Sequence, residues 1–386
     1  MTAPQTSRPE EADGSGYFLY HSIGMFEGKE RLIAEGLREY ARIWSTPNDA
    51  QWPEALAIRQ QFIRAWENLI NTPPGTITTA ETVTSALHSL ITSLPDEYLR
   101  GRRVLIAGDC FPSLHFLLSG LADRYGFVLD TVRLRPDESW VRDEDLIARW
   151  GPDVGVALLT QVTSTASYRC DLDALVAHGR KVGSLVGVDI TQGIGLIPFD
   201  ARSPEVDFTV STSLKWLGGT AGAGILQVRK DLLAECRPTL RGWFSQDDPF
   251  SWDLDAFEYA PDVRRFDHGT PSVVACAGTL PALRWHAAQD KDALLAHNRE
   301  LSEAIIAGAD ELGLKVLSPR EERRRGGSVM LDIPAAIDPN ELIARLRQEH
   351  LYADCRGTTL RLSPGSVTTR AGVERLLGQL GRLLKK

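Results

Sequence analysis

Lys215 lies in FTVSTSLKWLGGTAGAGIL, residues 208–226, between an apolar run and a glycine-rich turn, with no acidic residue within six positions. An amine held clear of carboxylates and stripped of water is both a nucleophile and a base. Asp189 closes the apolar run SLVGVD, Thr163, Ser164 and Thr165 follow ALLTQV, Phe111 follows VLIAGDC, and residues 79–85 carry a Thr/Ser run. Taken singly, the aspartate reads as a turn cap, the ring as core and the lysine as solvated surface. Taken together they match one cofactor. Pyridoxal phosphate needs a lysine for its aldehyde, a carboxylate for its ring nitrogen, a flat group to stack on the ring and a helix start with hydroxyls for its phosphate.

The elements around these residues place them on one rim. From residue 103 the chain alternates apolar runs with helical patterns: RRVLIAG, SLHFLLSGLADRYG, FVLDTVRL, DEDLIARW, VGVALLTQV, DLDALVAHGRKVG and SLVGVDI. That order predicts an α/β fold with a mainly parallel sheet covered on both faces, and ligands bind beyond the carboxyl ends of such strands. Asp189, the hydroxyl cluster and Phe111 all fall at those ends, with Lys215 just after the next strand. Helices are predicted over residues 29–44 and 53–70, with a third from residue 81, and two short strands flank Lys215. Later the spacing predicts long helices over 280–309 and 339–350, strands at GGSVMLDI and TLRLSPG, and a closing helix over 369–384. The resulting divisions are a disordered start (1–16), a segment joining a smaller domain (17–50), a large domain (51–275) and a smaller α+β C-terminal domain (276–386).

Composition narrows the class of protein. A chain of 386 residues with net charge −8 buries a full core and does not suit a polyanion surface, which argues against nucleic acid. Five scattered cysteines without CxxC spacing fit reduced thiols and a cytoplasmic setting. No segment reaches the length of a membrane span, and no histidine pair has metal-ligand spacing.

Several segments carry a family resemblance. GVDITQGIGLIPFD, STSLKWLGGTAGAGIL, GDCFPSLHFLLSGL, ETVTSALHSL, RGWFS, FDHGTPSVVA and LRLSPGSVTT occur in this order. They resemble the fold-type-I pyridoxal-phosphate enzymes of the class V aminotransferase superfamily, the group with kynureninases and cysteine desulfurases. The resemblance implies a seven-stranded, mainly parallel sheet plus the smaller domain. It implies that Lys215 carries the cofactor and moves the α-proton, that Asp189 pairs with the ring nitrogen, and that Phe111 stacks on the ring. It places Val83, Thr84 and Thr212 at the phosphate, Gln192 and Thr165 beside the cofactor, and Arg361 on the substrate α-carboxylate. Trp243 and Thr270 match residues that reach the neighbouring subunit's phosphate, so a homodimer is implied. Tyr20 and His21 lie where relatives bring the N-terminal segment over the substrate.

Departures shape the expected reaction. Kynureninases have a histidine where this chain has Gln192, and a tyrosine where it has Leu214; desulfurases have a histidine there. Leu114 replaces an expected acid, and no cysteine lies on a glycine-rich loop after position 320, Cys355 being in a strand-like stretch. The leading expectation is α-proton abstraction and β-elimination from a cysteine-conjugate-type amino acid, in specialised or antibiotic metabolism. A class V aminotransferase, a decarboxylating deaminase, a kynureninase and a non-catalytic binding protein of the same fold remain as alternatives.

Overall fold

The computed structural model describes residues 13–384. Seven strands form the large sheet: β1 (Ile77–Ala80), β2 (Arg103–Ala107), β3 (Val128–Val132), β4 (Val154–Thr160), β5 (Leu185–Asp189), β6 (Phe208–Thr212) and β7 (Gly224–Val228). Their spatial order is β1-β7-β6-β5-β4-β2-β3, and only β7 runs against the rest. β5 and β7 are buried along their whole length because helices cover both faces, which is why they read as unbroken apolar runs. Asp207, fully buried just before β6, accepts from Val186 N (2.7 Å) and pairs with Arg180 and Arg229, pinning β6 to β5.

Helices follow in chain order: α1 (Lys29–Ser45), α2 (Gln51–Leu69), α3 (Val83–Ile91), α4 (Asp96–Leu99), α5 (Pro112–Tyr125), α6 (Asp143–Arg149), α7 (Leu172–Val182), α8 (Lys230–Glu235), α9 (Val273–Ala287), α10 (Lys291–Glu311), α11 (Pro339–Gln348) and α12 (Arg370–Leu384). A second, antiparallel sheet of β8 (Lys315–Val316), β9 (Val329–Asp332), β10 (Asp354–Arg356) and β11 (Thr359–Leu362) has the order β10-β11-β9-β8. It shares a separate apolar core with α10, α11 and α12. Two further cores lie on the two faces of the large sheet.

Four boundaries differ from expectation. Of the start expected to be disordered, residues 1–12 lie outside the described residues, whereas 13–16 are tied down: Ser15 O accepts from Thr369 N and Gly16 O from Tyr352 N. The single helix expected over 280–309 is two, because Asp290 caps a fresh start with Oδ1 accepting from Asp292 N and Ala293 N. α9 packs on α1 and α2 rather than on the second sheet, so the seam falls after α9 and not at residue 276. Only the first part of the 17–50 segment joins the smaller domain, Tyr17 bridging to Tyr352 and Leu19 to Ser363, while α1 stays with the large one.

Candidate active site

Lys215 sits in the loop after β6, and the glycines behind it let that loop fold tightly. Gly218 N donates to Lys215 O at 2.7 Å and adopts a left-handed φ of 70°, a conformation cheap only for glycine. A Cβ on Gly219 would stand 2.8 Å from Ser213 Cβ and 2.5 Å from Thr279 Cγ2, so the backbone passes close to its own chain. Over the other side runs the N-terminal segment: Gly24 N donates to Leu214 O at 3.0 Å. His286, kept neutral because burial pulls its pKa down to about 4, supports the loop through Trp216 O (3.1 Å).

The Lys215 amine is shielded enough that burial pulls it down to about 8, Asp189 opposing the shift and Arg361 and Arg356 adding to it. Its Nζ lies 5.1 Å from the centroid of the Phe111 ring, which is 38% exposed at the start of α5. Asp189, at the end of β5, is buried; desolvation raises its carboxyl, while Thr191 N on Oδ1 (2.9 Å) and Lys215 draw it back. The hydroxyls of Thr160, Ser164, Thr165 and Thr191 on the same rim are buried and have no partner among the described residues. Leaving a buried hydroxyl unpaired costs about 1–3 kcal/mol, so this rim fits a polar, planar ligand that would satisfy it.

Val83 and Thr84 occupy the first two positions of α3. Thr82 caps this helix, its Oγ1 accepting from Ser85 N and Ser85 Oγ accepting from Thr82 N, both at 3.0 Å. The Val83 and Thr84 amides have no intrahelical acceptor and carry the positive end of the helix dipole, which suits a phosphate. Thr212 ends β6, half-buried.

Other predicted site residues are placed differently. Tyr20 is buried, with its ring 5.5 Å from that of Trp216 and its hydroxyl taken by Met25 O (2.8 Å) and Val367 N (3.0 Å). His21 is buried with both ring nitrogens engaged, so neither residue offers a group to a substrate as expected. Gln192 turns its amide to His21 O at 3.1 Å, tying the cofactor rim to the N-terminal segment. Trp243 stacks among Trp52, Phe244, Phe250 and Trp252, and Thr270 lines a cavity of about 660 Å³ with Ser85 and Thr220. That cavity does not include Lys215, so volume alone would have misplaced the chemistry.

Arg361, on β11, is buried, and its side chain is held by Asp354 directly opposite on β10. Nε donates to Asp354 Oδ1 at 2.8 Å and Nη2 donates to Oδ2. Asp354 and Arg356 escaped the sequence reading. Their signal was the two-residue turn Gly357-Thr358, with Gly357 at a φ of 60°, which sets residue 354 opposite 361.

Comparison with known proteins identifies the family and the fold. Residues 53–355 match the family model described as aminotransferase class-V. The chain is 29% identical over 297 residues to a kynureninase of Deinococcus radiodurans, covering 73% of this chain and 70% of that protein. Among solved structures, an apo cysteine desulfurase from Thermococcus onnurineus NA1 superposes with a TM-score of 0.83 at 17% identity, covering 98% and 99% of the two chains. A cystine C-S lyase in complex with its product cysteine persulfide gives 0.84 at 20% identity, covering 96% and 98%.

Proposed function

The chain belongs to the aminotransferase class-V family, and from that premise we propose that it is a pyridoxal-phosphate lyase that removes a β-substituent, a thiol above all, from an α-amino acid. When bound, the cofactor supplies an electron sink for the pair left at Cα. The residues of this chain do the rest. Lys215 would hold the cofactor and then carry the α-proton, and its amine, drawn down to about 8, is poised to exchange a proton near neutral pH. Asp189 would hold a proton on the ring nitrogen, Phe111 would stack on the ring, and the Val83 and Thr84 amides would bind phosphate. Thr165 and its unpartnered neighbours would complete the polar rim.

The observation that carries the elimination reading is that the two side chains where relatives place a second acid or base near the amine, His21 and Gln192, are not free to act as one. His21 is locked and kept neutral by burial, and Gln192 does not titrate. With Lys215 the one proton carrier invoked, a leaving group that needs no proton is favoured, and a thiolate, the base of an acid with pKa about 8.5, departs readily without one. In electrons, the Cα–H pair becomes the Cα=Cβ bond, the Cβ–S pair leaves with sulfur, and water then releases pyruvate and ammonium. Cys355 does not favour a persulfide relay: burial and the neighbouring Asp354 push its thiol up to about 11.

Two copies would complete the molecule. Trp44, Trp52, Phe250, Trp252 and Leu254 are exposed, Leu254 by 97%, and such a patch suits a subunit interface. A homodimer would bring Trp243 and Thr270 towards the partner's site.

Incubating the holoenzyme with S-substituted cysteines, L-kynurenine and ordinary amino acids, read by mass spectrometry, tests the reading. Thiol, pyruvate and ammonium in equal amounts are expected. Anthranilate from kynurenine, or stoichiometric conversion of the cofactor to its amine form, would replace it with a kynureninase or an aminotransferase. No turnover and no cofactor absorbance would leave a binding protein.

A further inference from the structure

Arg361 and its neighbours form a closed network. Asp354 receives Arg361 Nε and Nη2 and also His21 Nε2 (3.1 Å). Burial pushes the Asp354 carboxyl up, but the His21 and Arg361 bonds outweigh it and hold it at about 2, so it is ionised and accepts only. His21 Nε2 therefore carries the proton, Nδ1 accepts from the Ser363 hydroxyl at 2.6 Å, and Ser363 in turn receives the Ser328 hydroxyl at 2.6 Å. His21 O accepts from Gln192 at the cofactor rim. Every polar atom that could reorient Asp354 is thus fixed.

A guanidinium has five N–H donors in one plane. Asp354 takes the side edge, and Nη1 has no partner among the described residues. The end edge, Nη1 with the second Nη2 hydrogen, stays available for another carboxylate in the bidentate fork geometry that arginine favours.

We propose that Asp354 is a positioning residue that clamps the side edge of Arg361, so that its end edge is preset to receive the α-carboxylate of the amino-acid substrate. The inference rests on the amino-acid reading above. Without the clamp the guanidinium would have to be ordered at each binding event, and that ordering would weaken affinity. The alternative role for Asp354 is the opposite one, a competitor that the substrate carboxylate must displace.

The test compares wild-type and Asp354→Asn holoenzymes, titrated by cofactor absorbance with L-alanine and with ethylamine, its carboxylate-free counterpart. A charge-assisted clamp lost to a neutral one should weaken L-alanine binding about tenfold and leave ethylamine within about twofold. Asp354→Glu should fall between. Equal weakening of both probes would mean a general structural role, and unchanged or tighter L-alanine binding would make Asp354 a competitor; either overturns the proposal. A second readout does not need the substrate reading. Phenylglyoxal labelling, mapped by peptide mass spectrometry, should modify Arg361 about tenfold faster in Asp354→Asn, with the exposed Arg38 on α1 unchanged as the internal reference. If neither enzyme responds to either amine, the amino-acid reading fails by itself, and equal labelling of Arg361 in both would sink the clamp.

Discussion

Replacing Gly24 by alanine is the sharpest probe of the site's construction. The new Cβ would stand 1.9 Å from Lys215 O and 2.8 Å from Gly218 N, both backbone atoms in a tightly folded loop. Contact between a carbon and a heavy atom needs about 3.5 Å, so the N-terminal segment must lift by more than 1 Å. Overpacking of this kind costs about 1–3 kcal/mol, and the Gly24 N to Leu214 O bond, worth about 0.5–1.5 kcal/mol, is lost with it. The penalty of about 2–4 kcal/mol falls on opening of this segment from the smaller domain's core, which holds Phe18, while the two cores on the sheet faces, which hold none of residues 17–24, stay closed. Cleavage of an opened segment follows its population, so chymotrypsin should cut at Tyr17, Phe18, Tyr20 or Phe26 at least about 30-fold faster than in wild type. Far-ultraviolet circular dichroism should stay unchanged and amino-acid turnover should fall. Cleavage within threefold of wild type would refute the close approach on which this description of the Lys215 loop depends.

Other perturbations have equally definite outcomes. Burial pulls the Lys215 amine down to about 8 from its ordinary 10.5, so in the cofactor-free protein the unfolded chain binds the extra proton between those values. The penalty is full below pH 8 and relieved as pH rises, and the urea midpoint of wild type relative to Lys215→Met should therefore rise from pH 7 to pH 9.5. Arg59→Met would strand Asp267, which now receives Arg59 Nη2 at 2.7 Å and Thr78 Oγ1 at 2.5 Å in a buried setting. A loss of about 3–5 kcal/mol in urea unfolding is expected, with much of it regained in the double variant Arg59→Met/Asp267→Leu. Phe111→Ala should weaken cofactor retention about fivefold in an absorbance titration, the worth of one stacked ring. Thr82→Ala removes the α3 cap at a cost of about 1 kcal/mol and should loosen phosphate binding with no change in the Phe111 environment.

The parallel core was legible because its strands are apolar throughout and its helices keep a clean 3.6-residue period. That frame is what singled out Lys215, Asp189 and Phe111 as candidates, each just at or after a strand's carboxyl end. β1 was missed since ITTA offers no alternation and pairs only at the sheet margin with β7. The break between α9 and α10 was hidden because apolar periodicity runs through it, and only the Asp290 cap marks it. The partners of Tyr20 and His21 were not legible for a different reason: Val367, Ser363 and Asp354 lie more than 330 positions away, and no local pattern encodes such pairings.

The docking of residues 15–20 on the far end of the chain also sets an order of assembly. Phe18 N needs Tyr352 O, Ser363 N needs Phe18 O, and Ser15 O needs Thr369 N. Residues 15–20 therefore find these backbone partners only when chain more than 330 positions further on has folded. The large sheet closes without those pairings, but the Lys215 amine gains its N-terminal cover only once the strands of the smaller domain are in place.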